Sequence, residues 1–252
     1  NILYLLYMSK YPILKVRDKA DNFHKKVEDL FDTPFKLLLS SKSQHGMGKT
    51  SLIVNFLLNP KFPYRDIFEG DNIYIISNNE LDNKLNTLAE ALDIPDDNRQ
   101  EFDSDYLDVL YDQLEDEFKE ARDNGDKIPS FLIIFDDVAF DGALANRSVK
   151  ENIINKLVCN GRHANISTIF SVQKYSQANT TVRSQLTGAI FGKTSSKEID
   201  LISTDLNFFN TKRKFVDMFR DNTKGKRDFL VVNFTNDESM YMDKNFNPIS
   251  ME

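Results

Sequence analysis

The run Ser43-Gln44-His45-Gly46-Met47-Gly48-Lys49-Thr50-Ser51 sets two glycines just ahead of a lysine and a threonine. Glycine lets the backbone approach a ligand with no Cβ in the way. A turn of this kind after a strand aims several N–H groups at phosphate oxygens, and the N-terminus of the following helix adds partial positive charge. In that arrangement Lys49 reaches the β- and γ-phosphates of ATP, and the Thr50 hydroxyl coordinates Mg2+. One position departs from the usual pattern, since Ser43 stands where a glycine ordinarily opens the turn. An incidental surface turn is the competing reading. It is disfavoured by context, because the apolar run Phe35–Leu39 precedes the loop and Leu52–Leu57 follows it.

A second constellation is Phe131-Leu132-Ile133-Ile134-Phe135-Asp136-Asp137, an apolar strand that delivers two carboxylates at its end. Beside a bound triphosphate, Asp136 holds the metal and Asp137 orients or deprotonates the attacking water. The bland alternative is a pair that caps a helix beginning near Val138. Farther on, Gly161-Arg162-His163-Ala164-Asn165-Ile166-Ser167 leads into a strand closing at Val172-Gln173. A strand-terminal glutamine can hydrogen-bond a γ-phosphate or the lytic water, so Gln173 is the sensor candidate, against an exposed polar residue opening a loop. Arg162, and after it Arg183, are candidates to stabilise the transferring phosphoryl group from a neighbouring subunit, with a structural ion pair or a DNA contact as the alternative. His24, His45 and His163 lack metal-ligand spacing.

These residues need a frame that brings several strand ends to one edge. Candidate strands are Phe35–Leu39, Ile73–Ile76, Phe131–Phe135, Ser167–Ser171, Ala189–Phe191 and Phe229–Phe234, several of them apolar throughout, as strands covered on both faces must be. Helical segments alternate with them. The clearest opens at Ser104 as N-cap, aligns Leu107, Leu110, Leu114 and Phe118 on one face and stops at Gly125. The acidic stretch from Asp96 to Asp105 reads as exposed loop and cap without function. Alternating strands and helices predict βαβ units and a mostly parallel sheet flanked by helices on both faces, an α/β fold. Residues 1–32 are assigned to an N-terminal extension packing on the core, and residues 33–252 to the phosphate-binding domain.

With 252 residues, 40% apolar and 28% charged, the chain suits a large globular domain. A formal net charge of −7 argues against a general positive field for nucleic acid, so any DNA contact must be local. The clusters Lys212-Arg213-Lys214 and Lys224-Gly225-Lys226-Arg227 read mainly as solvated surface. The single cysteine, Cys159, allows no internal disulfide and no zinc framework, and a reducing compartment fits. The apolar run Ile2–Met8 is too short to span a membrane.

The phosphate loop, the Asp-Asp pair, Arg-His-x-Asn-Ile-Ser at Arg162–Ser167 and Gln173, in that order, resemble the genome-packaging ATPases of double-stranded DNA viruses with double jelly-roll capsids, the poxvirus-type and virophage-type enzymes of the FtsK-HerA superfamily. The resemblance covers approximately Pro34 to Phe234. It implies a RecA-like P-loop NTPase using ATP and Mg2+, assembled as a homo-oligomeric ring, pentamer or hexamer, that moves double-stranded DNA into a preformed capsid. It further implies capsid or vertex partners and a place in the virion or the host cytoplasm, in a viral factory. On that pattern Lys49 and Thr50 serve nucleotide and magnesium, Asp136 and Asp137 metal and water, Gln173 sensing, and Arg162 the trans contact. Lys174, Arg183 and Lys193 are candidates for a DNA-facing surface. The other readings are a related helicase, conjugation or segregation ATPase, and a nucleotide-binding module that has lost hydrolysis.

Overall fold

The computed structural model describes residues 23–27, 30–42, 47–77, 83–138, 152–236 and 240–250. Eight strands form one sheet: β1 (Lys36–Ser40), β2 (Ile73–Ser77), β3 (Arg99–Gln100), β4 (Phe131–Asp136), β5 (Ile166–Val172), β6 (Gly188–Phe191), β7 (Leu230–Asn233) and β8 (Tyr241–Met242). Their order across the sheet is β3-β2-β4-β5-β1-β6-β7-β8. All pairings from β3 through β6 are parallel, while β6–β7 and β7–β8 are antiparallel. The helices are α1 (Lys49–Leu58), α2 (Asn83–Ala91), α3 (Ser104–Asn124), α4 (Ile153–Asn160), α5 (Thr180–Gln185), α6 (Ser196–Leu206) and α7 (Lys212–Asn222).

Alternation along the buried strands builds two cores. Leu38, Phe135 and Phe170 point to one face, where they join Leu114 of α3, Leu157 of α4, Ile202 of α6 and Phe219 of α7. Leu37, Leu39, Ile134 and Ile169 point to the other, against Ile53 and Phe56 of α1 and Leu88 of α2. Each fully buried side chain of this size contributes about 1.5–3 kcal/mol from leaving water, which is why strands with no polar face are stable here. Directly below the acidic pair, the rings of Phe135 and Phe170 stack across β4 and β5 with centroids 5.0 Å apart. Phe23, Val27, Leu30 and Phe31 also pack against these cores. Phe31 is fully buried, its N–H donates to the Tyr64 hydroxyl at 2.9 Å, and Lys25 bridges Thr33.

Two expectations are corrected. The acidic stretch from Asp96 to Asp105 is more than a loop, because Arg99 and Gln100 form an edge strand paired with Ile75 and Ile76. Two residues of pairing lie below what hydrophobic periodicity can register. The N-cap of α3 is Asp103, not Ser104: its carboxylate accepts from Asp105 N at 2.7 Å and Tyr106 N at 3.3 Å. A charged acceptor there is favoured by the helix dipole, and Ser104 becomes the first helical residue. Gly125 ends the helix in a left-handed conformation with φ 76°, as expected of a glycine stop. Among the described residues no helix is long and apolar enough to cross a membrane.

Candidate functional site

The parallel strands of the sheet end together, and the residues able to bind phosphate gather on that edge. β1 runs into the glycine-containing loop, of which Ser43, Gln44, His45 and Gly46 lie outside the described residues. On the far shoulder Met47 is buried, and Gly48 has φ 82°, a left-handed conformation costing an ordinary L-residue about 1–2 kcal/mol. Gly48 caps α1 with no side-chain hydrogen bond, so the first N–H groups of α1 have no capping side chain as acceptor. Lys49 and Thr50 are the first two residues of that helix, with Ser51 behind them, and all three are half-buried. The Lys49 ammonium donates to the Ser41 carbonyl at 3.2 Å, tying one shoulder of the loop to the other.

The strand order places β5 between the loop strand and the carboxylate strand. Ser40 is level with Val172, and Ser171 with Asp136, so the loop and the acidic pair face each other across two strand spacings, about 9.5 Å. Burial pushes the Lys49 ammonium below the usual lysine pKa, while Asp137 and then Asp136 oppose the shift, so both carboxylates act on this cation. Asp137 itself sits at φ 52° with its N–H donating to Ser171 O at 3.0 Å, which turns the residue out of the strand. Its two carboxylate oxygens accept from the Gln173 side-chain amide at 3.2 and 3.0 Å.

Gln173 is in turn anchored. Its N–H and that of Lys174 donate to Gln177 Oε1 at 3.0 and 2.9 Å, and Ser176 donates twice to the buried Glu198 of α6. The amide that grips Asp137 therefore stands on a segment clamped to the helical layer. The same edge carries a buried hydroxyl row on the α1 face: Ser41 Oγ and Ser171 Oγ have no partner, and Ser171 pairs with Asp136. The oxygen donors and the two unsatisfied hydroxyls fit the chemistry of Mg2+, which keeps most of its waters and takes few protein ligands. Thr50 and Asp136 are the residues that would hold it.

Gly192, which the sequence reading did not single out, closes the site from the other side. Its N–H donates to Ser40 O at 2.9 Å, and a Cβ on it would lie 2.8 Å from Ser41 Cβ and 3.2 Å from Met47 Cβ. It therefore touches both shoulders of the loop. A glycine directly after the apolar run Ala189–Phe191 was the available signal. Lys174 and Lys193, both exposed, follow β5 and β6 on this edge.

The two arginines take different positions. Arg162 lies in a turn before β5, whose seven residues separate it from Gln173 by roughly 20 Å, so it cannot reach the phosphate loop of its own chain. Arg183 is held within the fold, 3.6 Å from Asp205 Oδ2 and with its guanidinium 5.2 Å from the centroid of the Tyr175 ring. Cys159 is exposed and free, and His163 accepts from Arg162 Nε at 3.5 Å.

A family model described as the poxvirus A32 protein matches residues 21–246. No curated protein matches the chain. Among solved structures, the genome packaging NTPase B204 from Sulfolobus turreted icosahedral virus 2, in complex with sulfate, superposes with a TM-score of 0.56 at 15% identity over 87% of this chain and 99% of that one. B204, the DNA-packaging ATPase from Sulfolobus turreted icosahedral virus, gives 0.52 at 19% identity over 86% and 100% of the two chains. EssC (ATPases 2 and 3) from Geobacillus thermodenitrificans gives 0.50 at 15% identity over 73% of this chain and 36% of that one. At these identities the likeness is one of fold, and it is the α/β fold with a mostly parallel sheet expected from the sequence.

Proposed function

The chain belongs to the poxvirus A32 protein family, and we propose that it is an ATP-hydrolysing motor that translocates double-stranded viral DNA into a preformed capsid. The observation that carries this reading is the convergence on one sheet edge of the Lys49 cation, the Asp136 and Asp137 carboxylates that act on it, and the Gln173 amide that grips Asp137. The B204 structures, solved in complex with ATP-γ-S and with AMPPCP, support nucleotide binding by a protein of this fold.

In this reading the loop amides, the N-terminus of α1 and Lys49 bind the triphosphate. Mg2+, held by Thr50 and Asp136, neutralises charge on the phosphates when bound. Asp137 orients the attacking water and accepts its proton, and Gln173 fixes the carboxylate that does so. In this reading Gln173 also senses the γ-phosphate, and the anchorage of its segment through Ser176 and Glu198 supports a link from hydrolysis to the helical layer. Arg162, which is exposed and lies on the opposite edge of the sheet, completes the site of an adjacent copy in a homo-oligomeric ring. DNA contacts fall to a few cations such as Lys174 and Lys193, because a chain of net charge −7 grips phosphates only locally. Capsid or vertex proteins are the structural partners, and the virion or host cytoplasm the place of action.

The test is steady-state phosphate release with and without duplex DNA. Lys49→Ala should lower turnover at least 100-fold, duplex DNA should raise that of the wild type, and no strand separation should accompany it. Undiminished turnover in Lys49→Ala would remove the ATPase reading.

A further inference from the structure

The edge of the sheet opposite the nucleotide site contains a cavity of ≈ 530 Å³. Lys36, Arg162, His24, Lys25 and Lys26 line it, and Asp32 is the one carboxylate among the described lining residues. That carboxylate already accepts from Val27 N at 2.8 Å. In a chain of net charge −7, three lysines, an arginine and a histidine against one acid are a local reversal of sign among the described residues.

The donors there are underused. Lys36 is buried at the start of β1, and its ammonium donates to Val158 O at 3.0 Å. An ammonium has three N–H groups, so two remain for another acceptor. No ion pair joins Lys36 or Arg162 to a carboxylate among the described residues, and Arg162 spends one N–H on His163. Thr33, 2% exposed and part of the same lining, has a buried hydroxyl with no partner. Burial, and after it the positive charge of Arg162, push the Lys36 pKa down, the pattern of a cation set in place without its counter-charge.

We propose that this cavity is a second phosphate site, distinct from the loop at Gly48–Thr50, in which Lys36, Arg162 and Thr33 receive a phosphate dianion. The chemistry selects a terminal phosphate over the diester of a nucleic-acid backbone. The two cations Lys36 and Arg162 match two negative charges, and the donors line a cavity instead of a track along the surface. The phosphate comes either from solution, as inorganic phosphate, or from the end of a nucleotide presented by an adjacent copy. Only the second source rests on the ATPase reading above.

The test begins with inorganic phosphate titrated calorimetrically into the full chain carrying Lys49→Ala, so that binding at the nucleotide loop does not interfere. One phosphate should bind per chain, and adding Arg162→Gln or Lys36→Met should weaken it at least tenfold. Arg162→Gln alters an exposed side chain and should leave the unfolding temperature unchanged, which keeps the test valid if Lys36→Met fails to fold. No binding in the Lys49→Ala background, or binding that Arg162→Gln leaves intact, overturns the proposal, including the case where Arg162→Gln weakens only duplex DNA. Mixing Lys49→Ala chains with Arg162→Gln chains then separates the sources. Turnover above that of either chain alone assigns the phosphate to the adjacent copy's nucleotide, and phosphate binding without such recovery assigns it to inorganic phosphate.

Discussion

Removing the Gln173 amide isolates the step at which Asp137 handles water. In Gln173→Ala the Asp137 carboxylate loses its donor at 3.2 and 3.0 Å, while the residue's backbone N–H still donates to Ser171 O. A hydrogen bond to a charged group contributes about 1.5–3 kcal/mol. Here one amide nitrogen is shared between two oxygens on an exposed side chain, and water partly replaces it, so about 1–2 kcal/mol of positioning is lost. At about 1.4 kcal/mol per decade that is a fall in kcat of roughly 5- to 30-fold. ATP binding should change little, because Lys49 and the α1 N-terminus remain. Gln173→Glu should be worse than alanine, since it sets a second carboxylate against Asp137. The assay is phosphate release under saturating ATP, with nucleotide affinity measured separately by fluorescence titration. A kcat within twofold of wild type, or a loss confined to KM, refutes the assignment of Gln173 to Asp137.

Other perturbations follow from single contacts. Gly192→Ala drives a Cβ to within 2.8 Å of Ser41 and should cost about 1–3 kcal/mol in urea unfolding while weakening ATP binding, because both loop shoulders must shift. Asp103→Ala should cost about 1 kcal/mol by removing two capping bonds, whereas Ser104→Ala should stay within about 0.5 kcal/mol, a contrast that thermal unfolding resolves. Lys36 has a folded pKa below its unfolded value, so between the two the unfolded chain binds more protons and stability rises with pH. Lys36→Met lacks that gain, and its Tm should fall progressively behind that of the wild type as pH rises from 8 toward the ordinary lysine pKa.

The chemistry of the site was legible wherever it is written in contiguous residues. Gly48-Lys49-Thr50 between an apolar strand and an apolar helix, and Asp136-Asp137 at the end of a third apolar run, point to the roles proposed for them through local backbone demands, because a strand–turn–helix junction is one continuous piece of chain. The buried strands were legible for the same reason, since a run with no polar face must be covered on both sides. The edge pair Arg99-Gln100 and the cap at Asp103 fell below that resolution, one being too short and the other one residue away from an equally plausible hydroxyl. What periodicity does not contain is which strands are neighbours. Only the order β4-β5-β1-β6 sets Gln173 beside Asp137, brings Gly192 against Ser41 and Met47, and carries Arg162 to the far edge beside Lys36. Sequence pattern reports what each segment must bury and bond. Which distant side chains meet is decided by the sheet as a whole, where pairing and packing of all strands are satisfied together.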